Sequence, residues 1–548
     1  MNRRRFLTTS GAMLTPASWA ALTPGSVRTV SVFHTTDLHG HILPTKSYEG
    51  LVDVGGLARC ATVIRQWRAE SPHHLLVDVG DLYQGTEVGR GSRGQAMVKV
   101  LNALNYDAWV LGNHDFDWGR DVLDAAIANA ACPVLAGNIR FGGRAAGQQE
   151  KTSPLARLAP HLLREIGGIK IGIVGAVTPG LSSWLAPHLL REVEAFDPLE
   201  SVRASVAELK ASGAQAIIVA GHMGLRNPDF LRDDFANRVS DLTQGVPDVD
   251  VFIGGHTHQD IPAARAHRVP YSQAGYHGIH LGRLDLSFHV ESGKLLSVRP
   301  FTELMDNRHA LDPGVLALAR DELVLADAEL DMPVGRVVGH LSARSAAGAP
   351  SQQERLIAQA ITEALATRNV RVAGVLHGSF FNDDLLPGPK SVSDMWDLMP
   401  YENGVVTASL DRSELVTVLE EAFAHERNTR NLMGFTVRTN GMRKNPKVTA
   451  LLDAAGQPFE ADRRHLIAFN SYDAQSAGQR LPRLREILSQ PAAGLAMHPI
   501  ETRQAMIEFF QRHATVSATS LGDASRQGTP AAERISGRIK IIPQLAAS

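Results

Sequence analysis

Eight side chains able to bind a metal ion or move a proton follow short apolar runs in the first half of the chain. Asp37 and His39 come after "TVSVFHTT", Asp81 after "LLVDVG", Asn113 and His114 after "AWVLG", His222 after "AIIVAG", and His256 and His258 after "VDVFIGG". A single Asp or His in such a place is ordinarily a helix cap or a turn residue satisfied by its own backbone. Five successive runs ending in oxygen or nitrogen donors, most of them beside a glycine that lets the backbone turn sharply, are not explained that way. The donors are carboxylate, imidazole and amide without thiolate, which suits Mn²⁺, Zn²⁺, Fe²⁺ or Co²⁺ and does not choose among them. Seven of them, Asp37, His39, Asp81, Asn113, His222, His256 and His258, exceed the four positions of one tetrahedral site. Two divalent metal ions are therefore expected, with Asp81, alone at the end of its run, as the bridging carboxylate. A pair of cations lowers the pKa of a water held between them, which makes it a hydroxide nucleophile near neutral pH.

The elements that must position these groups can be read from the same stretch. From residue 30, β-branched runs alternate with amphipathic patterns such as "GGLARCATVIRQWRAE" and "DPLESVRASVAELKASG", which predicts sheets covered by helices in an α/β arrangement. In open sheets of this kind ligands bind beyond the carboxyl ends of the strands, where the eight side chains fall.

The composition narrows the partners. The 548 residues, with 55 Lys+Arg against 57 Asp+Glu and 44% hydrophobic residues, allow two or three domains. A formal charge of −2 argues against a nucleic-acid polymer or an anionic membrane as partner. The opening "NRRRFLTTSGAMLTPASWAAL" has an arginine cluster, a modestly apolar stretch and small residues suited to a peptidase. It reads as a twin-arginine-type secretory signal over residues 1–26, and implies a periplasmic or otherwise exported protein. No later apolar run reaches the length of a membrane helix. Cys60 and Cys132 are too few for a zinc cage or a disulfide framework and are expected as two buried free thiols.

"DLHG", "GDLYQGT", "GNHDFD", "GHMG" and "GGHTH", in this order, resemble the signature of the calcineurin-like metallophosphoesterases. Beyond them, "GGLARCATVI", "GSRGQAMVKVLNALNYDAWVLGNHDFDWG", "QAGYHGIHLGRLDL" and the terminal "ISGRIKII" resemble the bacterial periplasmic 5'-nucleotidases and UDP-sugar hydrolases over nearly all of residues 30–543. The resemblance implies a four-layer α/β/β/α sandwich over 27–311, a linker helix over 312–333 and a smaller α/β substrate-binding domain over 334–548. It implies that Asp37, His39, Asp81 and His258 hold one metal, and that Asp81, Asn113, His222 and His256 hold the other. It makes His114 the imidazole that stabilises the transition state and Asp117 its dyad partner. Physically, a carboxylate beside an imidazole favours the imidazolium, a donor to charge building on a phosphoryl oxygen. The alternative for Asp117 is a cap for the helix that follows. Asp115, where the family usually has Glu, is expected to face solvent or to support the ligands from behind.

The second half resembles the family less closely. "ALDPGVLALARDELVLADAEL" begins with a cap and a first-turn proline, Asp312-Pro313, and continues as a helix. The family's Asn-Gly-Gly-Gly-x-Arg stretch is replaced by "HGSFFN", which removes an arginine. Of the two aromatics that usually stack the base, Tyr472 in "FNSYDAQ" keeps one place; "NTRNLMGF" has none at the other, and "SAGQRL" replaces a Gly-Gly-Asp-Gly-Tyr pattern. Arg355, Asn470 and Tyr472 are the remaining candidates for substrate contact, Tyr472 on an open loop flanked by Asn470 and Asp473. Losing a stacking ring removes about 1–3 kcal/mol from nucleoside binding, and the missing arginine removes a charged contact besides. The resemblance implies hydrolysis of a small phosphate ester, a nucleotide first of all, by a metal-bound hydroxide. Same-fold alternatives are a thiosulfohydrolase of sulfur oxidation, a cyclic-nucleotide phosphodiesterase and a UDP-sugar hydrolase. The Asp at 117 and the intact Gly-Asn-His speak against the first two, and an exported binding module is the alternative without catalysis. The oligomeric state is not legible.

Overall fold

The computed structural model describes residues 26–522 apart from 230, 346, 379–383, 426–429, 443, 454 and 461–462. The export signal expected over 1–26 lies outside the described residues but for Ser26, as do "ISGRIKII" and Ser379 to Asn382 of "HGSFFN".

Two sheets stack face to face in the first part of the chain. One has seven strands, with β1 (Val27–Thr35), β2 (His74–Asp78) and β3 (Ala108–Val110) side by side at its centre. These three run parallel, and the hairpin of strands His280–His289 and Leu295–Leu304 closes one edge antiparallel to β1. The other sheet has six strands, with β4 (Ala216–His222) and β5 (Val251–Gly254) parallel at its centre.

The period-two alternation of each strand decides what lies between the sheets. Val30 and Val32, Val77, and Ala108 and Val110 from the first sheet meet Ala216, Ile218 and Ala220, and Val251 and Ile253 from the second. The alternate residues Phe33, Leu76 and Trp109 turn outward to helices Leu57–Glu70, Gln95–Ala103 and Arg120–Asn129. Ile217, Val219 and Phe252 turn outward to Pro198–Ala211 and Val239–Gly245. Both faces of the central strands are buried, which is why they read as nearly unbroken apolar runs. The result is the expected four-layer α/β/β/α sandwich.

Asp312 does cap a helix, its side chain accepting from the Val315 amide with Pro313 in the first turn. The expected single helix over 312–333 is in fact two, Pro313–Leu318 and Arg320–Leu330, meeting at Ala319. Beyond it, a five-stranded sheet of Gly374–Gly378, Gly404–Leu410, Arg430–Met433, His465–Asn470 and Ala496–Glu501 carries helices on both faces, the smaller α/β unit. Gln352–Ala366 and Thr502–His513 pack on one face, and Arg412–Ala424 on the other. Cys60 and Cys132 are free and buried, as expected. Among the described residues, no helix is long and apolar enough to cross a membrane.

Candidate metal centre

The carboxyl ends of β1, β2, β3, β4 and β5 converge, and the expected donors meet there. Asp37, His39 and His258 form one group and Asp81, His222 and His256 a second, each with its donor atoms within 4.8 Å of one another. Asp81 reaches both: its Oδ2 lies 3.1 Å from His222 Nε2 and 3.8 Å from His39 Nε2. Asp37 Oδ1 is 3.4 Å from His258 Nε2 and 4.0 Å from His222 Nε2. Asn113 stands at the end of β3 with a buried Oδ1 that has no hydrogen-bond partner among the described residues. An orphaned buried amide oxygen is costly unless something accepts its lone pairs. With it the donor set fits two divalent cations.

The imidazoles are held as ligands would be. His39 Nδ1 donates to the Gln84 carbonyl at 2.9 Å, and His222 Nδ1 to the Val79 carbonyl at 2.7 Å. Each bond holds a proton on Nδ1 and leaves Nε2 facing the site. Burial pushes His39 and His256 down to about 3, keeping both neutral. Burial also opposes a charge on His222, but the Asp81 carboxylate outweighs it and raises that group to about 9. Burial likewise disfavours the Asp81 anion, yet His222 and His114 hold its carboxyl well below the usual range.

Backbone strain accompanies the convergence. Asp37, His39, Asp81, His256 and His258 all have φ between 48° and 69°, the left-handed region that side chains other than glycine rarely adopt. Such residues cost about 1–3 kcal/mol each and persist where the surroundings over-determine them. Here the surroundings are specific hydrogen bonds. The His256 amide donates to both Asp37 oxygens at 3.1 and 3.0 Å, and the Thr36 hydroxyl to Asp37 Oδ2 at 2.6 Å.

The stretch "GNHDFD" forms one 3₁₀ turn, His114–Phe116, after β3. The His114 amide donates to Asp81 Oδ1 at 2.7 Å, and its Nδ1 meets Asp117 Oδ2 at 2.7 Å. Asp117 therefore pairs with the imidazole; the next helix starts after Gly119, with no side-chain cap. Burial works against the His114 charge, while Asp117 and Asp81 outweigh it and hold the imidazolium up to about 10.

Asp115 corrects half of its expectation. It is fully buried, not solvent-facing, and accepts from the Gly112, Leu82 and Asp81 amides at 2.8, 2.9 and 3.2 Å. It thereby ties the turn after β2 to the turn after β3, and burial beside Asp81 lifts its carboxyl to about 7. Gly112 is as close: a Cβ there would sit 2.2 Å from Asp81 Oδ1 and 2.3 Å from its amide nitrogen. Gly112→Ala is expected to displace Asp81, cutting turnover of an aryl phosphate about 10²-fold, as misplaced catalytic groups do. It should also lower stability by about 1–3 kcal/mol through overpacking; steady-state kinetics and a thermal melt read both.

The three candidates in the second unit stand elsewhere. Arg355 is half-buried on helix Gln352–Ala366, its Nε buried without a hydrogen-bond partner among the described residues. Asn470 and Asp473 are fully buried, the first before and the second within a short helix, Ser471–Ala474, where an open loop was expected. Asn470 caps that helix and donates to Asp473 Oδ2 at 3.2 Å; Tyr472 is half-buried between them. Sequence reasoning missed Arg430, whose Nη2 and Nε meet Asp473 Oδ1 at 2.9 and 3.1 Å in a buried ion pair. It also missed Trp184, whose ring lies 5.1 Å from that of His256, and Tyr401, which stacks on His114 at 5.7 Å and 21°. None follows a strand-like apolar run directly, so the pattern that revealed the candidate donors was silent on them.

An α/β/β/α sandwich with two neighbouring histidine–carboxylate groups at its strand ends defines a metallophosphoesterase. Residues 30–260 match the calcineurin-like phosphoesterase family and residues 337–485 the 5'-nucleotidase C-terminal domain. The chain belongs to the family that joins these two domains, whose members depend on divalent metal ions. It is 30% identical over 340 residues to a snake venom 5'-nucleotidase of Naja atra, covering 57% of this chain and 60% of that one. Its fold is shared with a 5'-nucleotidase precursor from Thermus thermophilus, with TM-score 0.68, 22% identity, and 89% and 97% of the two chains covered. A sulfate thiohydrolase from Thermus thermophilus shares it too, with TM-score 0.63, 17% identity, and 89% and 95% covered. The aligned region spans from a fifth to three-fifths of the length of the curated relatives it matches.

Proposed function

We propose that this chain is a dinuclear metal-dependent phosphohydrolase that releases phosphate from a small ester, a nucleotide in the first instance. The observation that carries the reading is the pair of ligand groups joined through Asp81, one hydrogen bond from the His114–Asp117 dyad. Asp37, His39, Asp81 and His258 would hold one cation, and Asp81, Asn113, His222 and His256 the other, with Mn²⁺ or Zn²⁺ best suited to the donors. When bound, the cations supply Lewis acidity at the phosphoryl oxygen and lower the pKa of water at the site. His114 contributes a charged N–H to the oxygen on which negative charge develops, and Asp117 keeps that ring charged and oriented. Tyr472 offers a ring to the leaving group, and Arg355 a cation. Asn470, engaged in capping, holds Asp473 and so the Arg430 ion pair. The unit limits that go with this reading are a catalytic part over 27–311, a connecting part over 312–333 and a substrate-binding part over 334–548. An export signal over 1–26 would place the enzyme in the periplasm; the arginine cluster and the apolar stretch after it support that placement.

The test is hydrolysis by the chain without residues 1–26, loaded with Mn²⁺. The panel is AMP, UDP-glucose, 2',3'-cyclic AMP, an aryl phosphate and a cysteine peptide bearing a sulfur conjugate, with His114→Ala as control. Turnover of AMP, lost in the variant, is the expected result. Activity on the aryl phosphate alone would keep the centre and discard the nucleoside, and activity confined to the sulfur conjugate would overturn the phosphoester reading.

A further inference from the structure

The turn at residues 399–403 belongs to the second unit but reaches the metal centre. Its Glu402 side chain is only 5% exposed, and its two oxygens are used by different parts of the molecule. Oε1 accepts from Arg503 Nη2 at 2.9 Å; that guanidinium lies 3.4 Å over the Trp396 ring and donates to the Met399 carbonyl at 2.8 Å. Oε2 accepts from Gln84 Nε2 at 2.7 Å, across to the turn that follows β2. Gln84 Nε2 also faces the Pro400 carbonyl at 3.4 Å. Both partners can only accept, so the amide has one sensible orientation. The backbone carbonyl of the same Gln84 takes the Nδ1 proton of His39. One residue away from Glu402, Tyr401 lays its ring on His114.

A buried ion pair adds little net stability over an apolar pair of the same volume. What Glu402 and Arg503 do supply is a fixed carboxylate, aimed out of the second unit at one amide of the first. That amide belongs to the residue whose carbonyl sets the tautomer and direction of a metal-ligand candidate. Partners of this kind behind a ligand are worth roughly 10–100-fold in metal affinity.

We propose that Glu402 is a positioning residue delivered by the second unit, a clasp that grips Gln84 so that its carbonyl orients His39, while Tyr401 on the same turn seats His114. Metal affinity on one unit then depends on the docking of the other. The proposal rests on the reading of Asp37, His39 and His258 as a metal group.

The test is a double-mutant cycle on the full chain, Gln84→Ala, Glu402→Ala and both together. Mn²⁺ affinity is measured by calorimetry, and kcat and KM with p-nitrophenyl phosphate. Each single variant is expected to weaken Mn²⁺ binding roughly tenfold, and the double variant no further than the weaker single, because both remove the same contact. Gln84→Ala leaves the Glu402–Arg503 pair intact, so its lost affinity reports the clasp even if Glu402→Ala fails to fold. Glu402→Gln, which leaves one acceptor oxygen for the two donors Arg503 and Gln84, is expected to recover only part of the affinity. Wild-type Mn²⁺ binding with unchanged affinity in Gln84→Ala, or with losses that multiply in the double variant, would overturn the clasp. A wild-type chain that binds no Mn²⁺ would instead overturn the metal reading beneath it.

Discussion

Asp81→Asn is expected to abolish hydrolysis and to remove the stabilisation of the fold by Mn²⁺. Asp81 reaches from its own group to the other, at 3.1 Å from His222 and 3.8 Å from His39. Its Oδ1 also receives the His114 amide, so the same carboxylate fixes the turn that carries the dyad. An Asn at this position keeps one oxygen and the shape but loses the charge that two cations would share. Losing the charge stabilisation of a bound metal costs several kcal/mol; about 4 kcal/mol corresponds to roughly 10³-fold in rate. The thermodynamic readout is independent of turnover. A cation present at 100 times its Kd stabilises a fold by about 2.7 kcal/mol. The wild-type Tm should therefore climb on titration with Mn²⁺, while that of Asp81→Asn stays flat. A variant that binds two Mn²⁺ ions and turns over normally would remove Asp81 from the centre.

His114→Ala should separate chemistry from metal binding. The contact of His114 with Asp81 is made by its backbone amide, which survives the substitution, so metal content is expected to be unchanged. Removing one donor to the developing charge should lower kcat by about 10²–10³-fold with little change in KM. Asp117→Asn tests the same dyad through pH. Burial alone would push the His114 ring toward its neutral form, and it is the Asp117 carboxylate at 2.7 Å, with Asp81, that raises it to about 10. With the imidazolium as the proposed donor, activity is expected to fall as pH rises through the pKa of His114. In wild type that limb lies on the alkaline side; in Asp117→Asn it should move to lower pH, and neutral-pH activity should fall with it. A kcat–pH profile with an unmoved alkaline limb would mean that the ring acts neutral or not at all.

The donors that follow apolar runs were legible because two constraints coincide in them. A strand buried on both faces must be apolar throughout, and a ligand must stand where such a strand emerges. The alternation of Ala216, Ile218 and Ala220 with Ile217 and Val219 is enough to place both faces of β4, and with them His222 at its end. Asp115 was less legible. "GNHDFD" holds three carboxylates and imidazoles in one turn, and nothing in their order says which points outward. The answer depends on the neighbouring turn after β2, whose amides Asp115 accepts. In the second unit the Arg430–Asp473 pair joins a strand to a helix distant in sequence, and local pattern carries no trace of it.

The layered α/β class, seven candidate donors without thiolate and the spacing of His114 and Asp117 are readable in residue order alone, because each is a local pattern of residue type along one strand or turn. That five of those donors sit at positive φ, that Asp81 lies near both His222 and His39, and that Glu402 meets Gln84 and Tyr401 meets His114 from the second unit emerges only in the folded chain. Those facts depend on which turns face each other once two sheets and a second unit have packed. That packing is settled by the summed burial of residues hundreds of positions apart, and no single stretch of the chain contains it.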